Sequence, residues 1–193
     1  MMRIGVSLLA LGLMACTPPA SEAPATTTTA EIPAASTSGR MGCDANASRD
    51  WSAVGSQYYI IEAEAHGATC AEAVATIRIK STEGQVLFTH DYPTRDVSLA
   101  FNPNGDQTGL REEIESWTQN ASETGTAAEL PAWPAGAQAP PGFQPAVARN
   151  VYEQARGNQS ALFCYPDGGE SNACIAVAGT HATLLGSKTP ERP

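Results

Sequence analysis

Residues 57–66 read QYYIIEAEAH and alternate with a period of two. Tyr59, Ile61, Ala63 and Ala65 fall on one side of an extended chain, and Tyr58, Ile60, Glu62, Glu64 and His66 on the other. A β-strand has this periodicity, and one apolar and one polar face mark an antiparallel sheet with one side in water. Residues 74–80, VATIRIK, repeat the pattern, with Ile77 and Ile79 inward and Thr76, Arg78 and Lys80 outward. STEGQ then turns the chain into VLFTHDY at 86–92, read with Val86 and Phe88 toward the core. The three runs predict an antiparallel meander.

The period changes at residues 107–120, QTGLREEIESWTQN, where Leu110, Ile114 and Trp117 form a helical stripe. Glu112, Glu113 and Glu115 are read in the opening half of that helix, where its dipole favours acids. A second helix is expected over 146–156, AVARNVYEQAR, with Val147, Val151 and Ala155 in line. Between them, residues 122–146 are rich in alanine, proline and glycine and include LPAWPAGAQAPPGFQP. Unstructured connections this long are uncommon inside a compact domain, so Trp133 and Phe143 are expected to pin it to the surface. SALFCYP, ACIAVAG and HATLLG close the chain as three further short strands, the first two joined by DGGESN. The fold class is therefore a single α+β domain, with five to six short antiparallel strands in two groups and two helices.

Five cysteines are present. The first, Cys16, closes an apolar stretch from Ile4 to Met14 that follows the lone charge Arg3. Eleven residues are too few for a membrane-spanning helix, which needs about 20, but they suit the apolar region of a secretory signal. Leu13-Met14-Ala15-Cys16 resembles the lipobox of bacterial lipoproteins. That resemblance implies a signal peptide over 1–15, diacylglycerol on the Cys16 sulfur, cleavage before it and acylation of the new amino terminus. Thr17, rather than aspartate, then implies the outer membrane, with the protein facing the periplasm. Residues 16–42 carry almost no large apolar side chains and read as a disordered tether rich in proline, threonine and alanine, leaving 43–193 as the folded domain. IEAEAHGATCAEA at 61–73 and ALFCY at 161–165 resemble small bacterial envelope proteins, and no activity comes with that resemblance.

Cys43, Cys70, Cys164 and Cys174 remain. An even number in an exported chain reads as two disulfides with three connectivities open, of which locality favours Cys43–Cys70 and Cys164–Cys174. Zinc is the rival reading, but no C-x-x-C pair occurs and the histidines are wrongly spaced for it.

Loss of the leader removes Arg3 and takes the formal net charge from −9 to −10. This balance argues against nucleic acid and against docking on anionic lipid; solubility is its default reading, and a basic envelope protein is the partner it is compatible with. The membrane itself is a partner through the anchor.

Glu62, Glu64 and His66 are the candidates for a metal or for acid–base work, since two carboxylates and an imidazole share one strand face. The competing reading is a ladder of ion pairs with Arg78 and Lys80, set by a hairpin that brings Glu62 and Glu64 close to Thr76 and Arg78. NPNGDQTGLREE at 102–113 matches part of a calcium-loop spacing, but Gln107 stands where glycine is required, so Asp106 or Thr108 is read as a helix cap. His90 and His181 are isolated. No G-x-S-x-G, H-E-x-x-H or P-loop motif occurs, and no cofactor is implied.

Three functions follow from these residues. The first is a non-catalytic, lipid-anchored binding or assembly module of the envelope. The second is an inhibitor of a basic envelope-directed hydrolase such as lysozyme. The third is a hydrolase of envelope polymers, which requires a cleft around Glu62, Glu64 or a histidine.

Overall fold

The computed structural model describes residues 42–55, 57–119 and 125–189. Cys16, the leader and the tether up to residue 41 lie outside the described residues. Among the described residues, nine strands and two α-helices follow in the order β1 (Ala45–Ser52), β2 (Tyr58–His66), β3 (Val74–Ser81), β4 (Val86–Pro93), α1 (Gln107–Gln119), β5 (Gly125–Thr126), β6 (Phe143–Pro145), α2 (Arg149–Gly157), β7 (Ala161–Pro166), β8 (Asn172–Ala178) and β9 (His181–Lys188). They form two antiparallel sheets, β1-β2-β3-β4 and β5-β7-β8-β9-β6. The chain is thus an α+β domain, as the periodicities predict, held by two disulfides that link Cys43 to Cys70 and Cys164 to Cys174.

Three layers result. The apolar face of the first sheet (Ile61, Ala63, Ala65, Ile77, Ile79) and the α1 stripe (Leu110, Ile114, Trp117) share one core with Phe163, Tyr165, Ile175 and Val177 of the second sheet. The other face of the second sheet buries Leu162, Cys164, Cys174 and Leu185 against Tyr152 of α2, Leu130 and Phe143. Covered on both faces, β7 is buried at every residue, which is why ALFCYP reads as a continuous apolar run rather than an alternation.

Several expectations are corrected. The meander is real, but β1 adds a fourth strand at its edge, paired with β2 from Ala45↔Ala65 to Ser52↔Tyr58. The row in register with the inward face of β2 is Ala45, Ala47, Arg49 and Trp51, with Arg49 exposed, and is too weakly apolar to announce a strand. Val86 does not face the core. Ile79 pairs with Phe88 but Lys80 pairs with Val86, so Leu87 is an extra residue at a β-bulge, and the alternation reverses there. Phe88 packs toward the core while Val86 is 49% exposed.

The acids of α1 miss its first turn, where the dipole acts. Glu113 instead accepts the Asn102 N–H at 3.1 Å, and burial raises its carboxyl pKa. Asp106 caps the helix, its Oδ1 accepting the Gly109 N–H at 2.9 Å. In α2 the buried residue is Tyr152, while Val151 is exposed.

The described part of the proline-rich connection contributes β5, a 3-10 turn over Ala127–Glu129 and β6. Tyr152 holds both of its aromatics, with ring centroids 5.6 Å from Trp133 and 5.2 Å from Phe143. Side chains of α2 also hold its backbone: Tyr152 Oη donates to the Pro131 carbonyl at 2.8 Å, Arg156 Nε to Leu130 at 3.0 Å and Arg149 Nη2 to Trp133 at 2.7 Å.

Candidate functional site

The outer face of the first sheet collects the chemistry-bearing residues. Period-two alternation sets Glu62, Glu64 and His66 of β2 outward, and the β2–β3 register places them opposite Arg78, Thr76 and Val74. The tight connection between these strands depends on Gly67. A Cβ there would lie 2.5 Å from Ala73 Cα and 2.7 Å from Ala73 N, closer than any side chain is tolerated.

The cations bind diagonally. Arg78 Nη2 donates to Glu64 Oε1 at 2.6 Å, and Lys80 Nζ to Glu62 Oε1 at 2.8 Å. The Arg78 hydrogen bond holds the Glu64 carboxyl below its ordinary range, and the same bond raises the guanidinium. His66 Nδ1 lies 3.1 Å from Asp44 Oδ1 and its Nε2 3.7 Å from Glu64 Oε2. Thr76 Oγ1 donates to Asp91 Oδ1 of β4 at 2.7 Å. A shallow cleft of about 180 Å³ opens over the ladder, lined by Asn46, Ser48, Glu62, Glu64 and Arg78.

Chemically, this face is a charged surface of ion-paired carboxylates. A general acid needs a pKa raised toward neutrality, and Glu64 is shifted the other way. Among the described residues no group of three or more His, Cys, Asp or Glu is arranged to hold a metal ion, Glu62, Glu64 and His66 included. The calcium-like loop closes on itself, with Asn102 Oδ1 accepting the Asn104 N–H at 3.0 Å.

The structure keeps the other histidines apart. His90 lies between Phe88 and Tyr92, with centroids 6.3 and 4.6 Å away. His181 begins β9, its Nδ1 3.3 Å from Thr180 Oγ1. Sequence reasoning missed the contribution of Asp44, Asn46, Ser48 and Asp50, because β1 was not legible as a strand. The one available signal was the alternation of Ala45 and Ala47 with Asn46 and Ser48.

No helix among the described residues is long and apolar enough to cross a membrane. Comparison with family models, with curated proteins and with solved structures finds no match to this chain.

Proposed function

We propose that this protein is a lipid-anchored component of the bacterial envelope that works as a non-catalytic binding or assembly module, with the outer face of its first sheet docking a basic protein. The observation that carries the reading is the charge of that face. Asp44, Asp50, Glu62, Glu64 and Asp91 lie on it against Arg78 and Lys80, so the carboxylates outnumber the fixed cations. Such a surface steers a cationic partner toward itself and disfavours anionic ones. The Leu13-Met14-Ala15-Cys16 resemblance supports the anchor, and the two disulfides suit an oxidising compartment.

The same charge supports the narrower reading, an inhibitor of a basic envelope-directed hydrolase such as lysozyme. Both readings are tested by titrating the protein with a basic lysozyme and by cross-linking in intact cells. Salt-sensitive binding, weakened by reversing charges at Glu62 and Asp91, is expected for the inhibitor. Capture of a different basic envelope protein supports the broader module, and capture of none at low ionic strength sinks both. The anchor is tested separately by the intact mass of membrane-extracted protein, expected to begin at Cys16 with two or three acyl groups.

A further inference from the structure

A second surface lies away from the acidic face, along the edge of β9. Strand β8 pairs with β9 along its whole length on one side, from Ala178↔His181 to Asn172↔Lys188. On the other side β6 covers only Gly186 to Lys188, and the Ala146 N–H takes the Leu185 carbonyl. Among the described residues, no strand is hydrogen-bonded to the open side of His181 to Leu184.

The turn fixes which backbone groups face that gap. Gly179 and Thr180 form a two-residue hairpin turn with Gly179 at φ +60°. The pair flanking such a turn, Ala178 and His181, is of the mutually hydrogen-bonded kind, and the kinds alternate along an antiparallel ladder. Ala182 and Leu184 therefore aim their N–H and C=O groups away from β8, into the open edge.

Exposed edges are ordinarily guarded by a bulge, a charge or a proline. The free edge strand β4 has all three, in Leu87, Asp91 and Pro93. The stretch HATL in β9 has no proline, no acid, no lysine or arginine, and its bulge comes only after Leu184.

A groove of about 160 Å³ lies next to this edge, between α2 and the second sheet. Gln154, Ala155 and Asn158 line it from the helix, and Ala176, Ala178 and Thr183 from the strands. It exists because alanines face one another where larger side chains would close the gap. At about 30 Å³ per water it has room for roughly five waters, well short of a drug-sized pocket but enough for one side chain. His181 is the one titratable side chain in its lining and none of the others is an acid, a lysine or an arginine, so the groove holds no permanently charged group to pair with a charged side chain.

We propose that the His181–Leu184 edge of β9 receives an extended, uncharged polypeptide segment as an added strand, one of whose side chains seats in the groove under α2. Main-chain hydrogen bonds to Ala182 and Leu184 supply the attachment, and the groove selects for small neutral side chains. The site is independent of the acidic face. Tyr59, on the inward row of β2, donates from Oη to the Gly179 carbonyl at 3.2 Å, so the β8–β9 hairpin meets the first sheet on its inner face, the side opposite the carboxylates.

The test uses the purified full-length protein and a pooled library of blocked octapeptides built from Ser, Thr, Asn, Gln, Ala and Val. Retained peptides are expected to slow amide exchange at Ala182 and Leu184 by at least about tenfold, the scale of one added hydrogen bond or more. Ala182→Pro removes an outward N–H without touching the β8 ladder and is expected to lose retention; Thr183→Arg, which puts a charge at the groove, does the same by a separate route. Binding should be equal at low and high salt, which separates it from docking on the acidic face. Retention unchanged in both variants, protection confined to other strands, or no retained peptide would overturn the proposal. So would a dimer that Ala182→Pro disperses, since it would assign the edge to a second copy of the chain.

Discussion

Tyr92 of β4 and Tyr165 of β7 meet between the two sheets, their hydroxyl oxygens 3.0 Å apart and their rings at 78°. Trp117 of α1 touches both edge-on and donates from Nε1 to the Pro166 carbonyl at 2.9 Å. One hydrogen bond thus ties the first sheet to the second beside the helix. Tyr165 is fully buried, so Tyr92→Phe strands a hydroxyl that water cannot reach and should cost about 2 kcal/mol. Tyr165→Phe strands the less buried partner and should cost less, about 1 kcal/mol. The double Phe variant should recover much of the loss, because no polar group is then left unpaired. Urea unfolding of the four proteins measures this, and simple additivity of the two single effects would count against a shared bond.

Burial pushes the phenol pKa of both Tyr92 and Tyr152 up to about 12 and that of Tyr165 further in the same direction. A folded-state pKa above the unfolded value of about 10 means the folded state keeps protons that the unfolded chain releases. The stabilisation is complete below pH ~10 and disappears as pH rises through the folded-state values. The melting temperature should therefore hold steady to pH ~9.5 and fall steeply between about 10 and 12. Tyrosinate absorbance should appear with unfolding rather than before it for these side chains. A melting temperature flat to pH ~12 would refute the assignment.

Gly186 carries a different constraint. Its φ is +144°, and a Cβ would strike the Gln144 carbonyl oxygen and lie 2.7 Å from both Phe143 Cε1 and Pro145 Cα. It sits where the bulge lets Leu185 reach the second core while β6 closes over the backbone. Gly186→Ala combines backbone strain with overpacking and should cost roughly 3 kcal/mol. Gly84, at φ +88° with nothing within 4 Å of a Cβ, isolates the strain alone, and Gly84→Ala should cost roughly 1 kcal/mol. Equal effects of the two substitutions would mean β6 yields to the added methyl.

Between its two short strands, the connection between the helices is held by α2. Three α2 side chains bond the carbonyls of Leu130, Pro131 and Trp133, and Glu153 Oε1 accepts the Trp133 N–H at 3.0 Å. That last bond holds the Glu153 carboxyl below its ordinary range. Arg156→Ala removes a carbonyl contact and the 2.8 Å ion pair to Glu153 together. Limited proteolysis should then cut between Leu130 and Gly142 several-fold faster, with the melting temperature lowered by only a few degrees, the scale of about 1 kcal/mol. An unchanged digestion rate would mean that Phe143 and Trp133 packing suffices.

What was legible in the residues is what local periodicity carries. Strands β2 and β3 show because Ile61, Ile77 and Ile79 alternate with charges, and α1 because Leu110, Ile114 and Trp117 keep helical spacing. The ion-pair ladder followed from a short hairpin whose register depends only on nearby residues, and the two disulfides join the cysteines nearest in sequence. Whatever depends on distant partners was hidden. Val86 turns outward because of a bulge seen only against β3. The Tyr92–Tyr165 bond joins residues 73 apart in sequence. Strand β1 interrupts its apolar row with the exposed Arg49 and is recognisable only with β2 beside it. The groove under α2 comes from alanines brought together across the fold.

The ladder itself offers a direct measurement. Arg78 and Glu64 are about one-third exposed or less, and their 2.6 Å bond is the chief cause of the depressed Glu64 pKa. A carboxyl with a lowered folded-state pKa adds stability above its unfolded pKa, and that stability is lost as pH falls through the folded-state value. Arg78→Gln should move the Glu64 titration, followed by carboxyl NMR, upward toward the ordinary range and reduce acid sensitivity below pH ~4.5. At neutral pH the substitution should cost only about 0.5–1 kcal/mol, because a partly exposed pair is screened by solvent and salt. It also removes a cation from the outer face, so a basic partner docking there should bind more tightly at low salt than it does to the parent protein. Weaker binding with the expected titration shift would place the partner's contact on Arg78 itself and reverse the sign of the proposed surface. A Glu64 titration that does not move would show that the ion pair does not persist in solution.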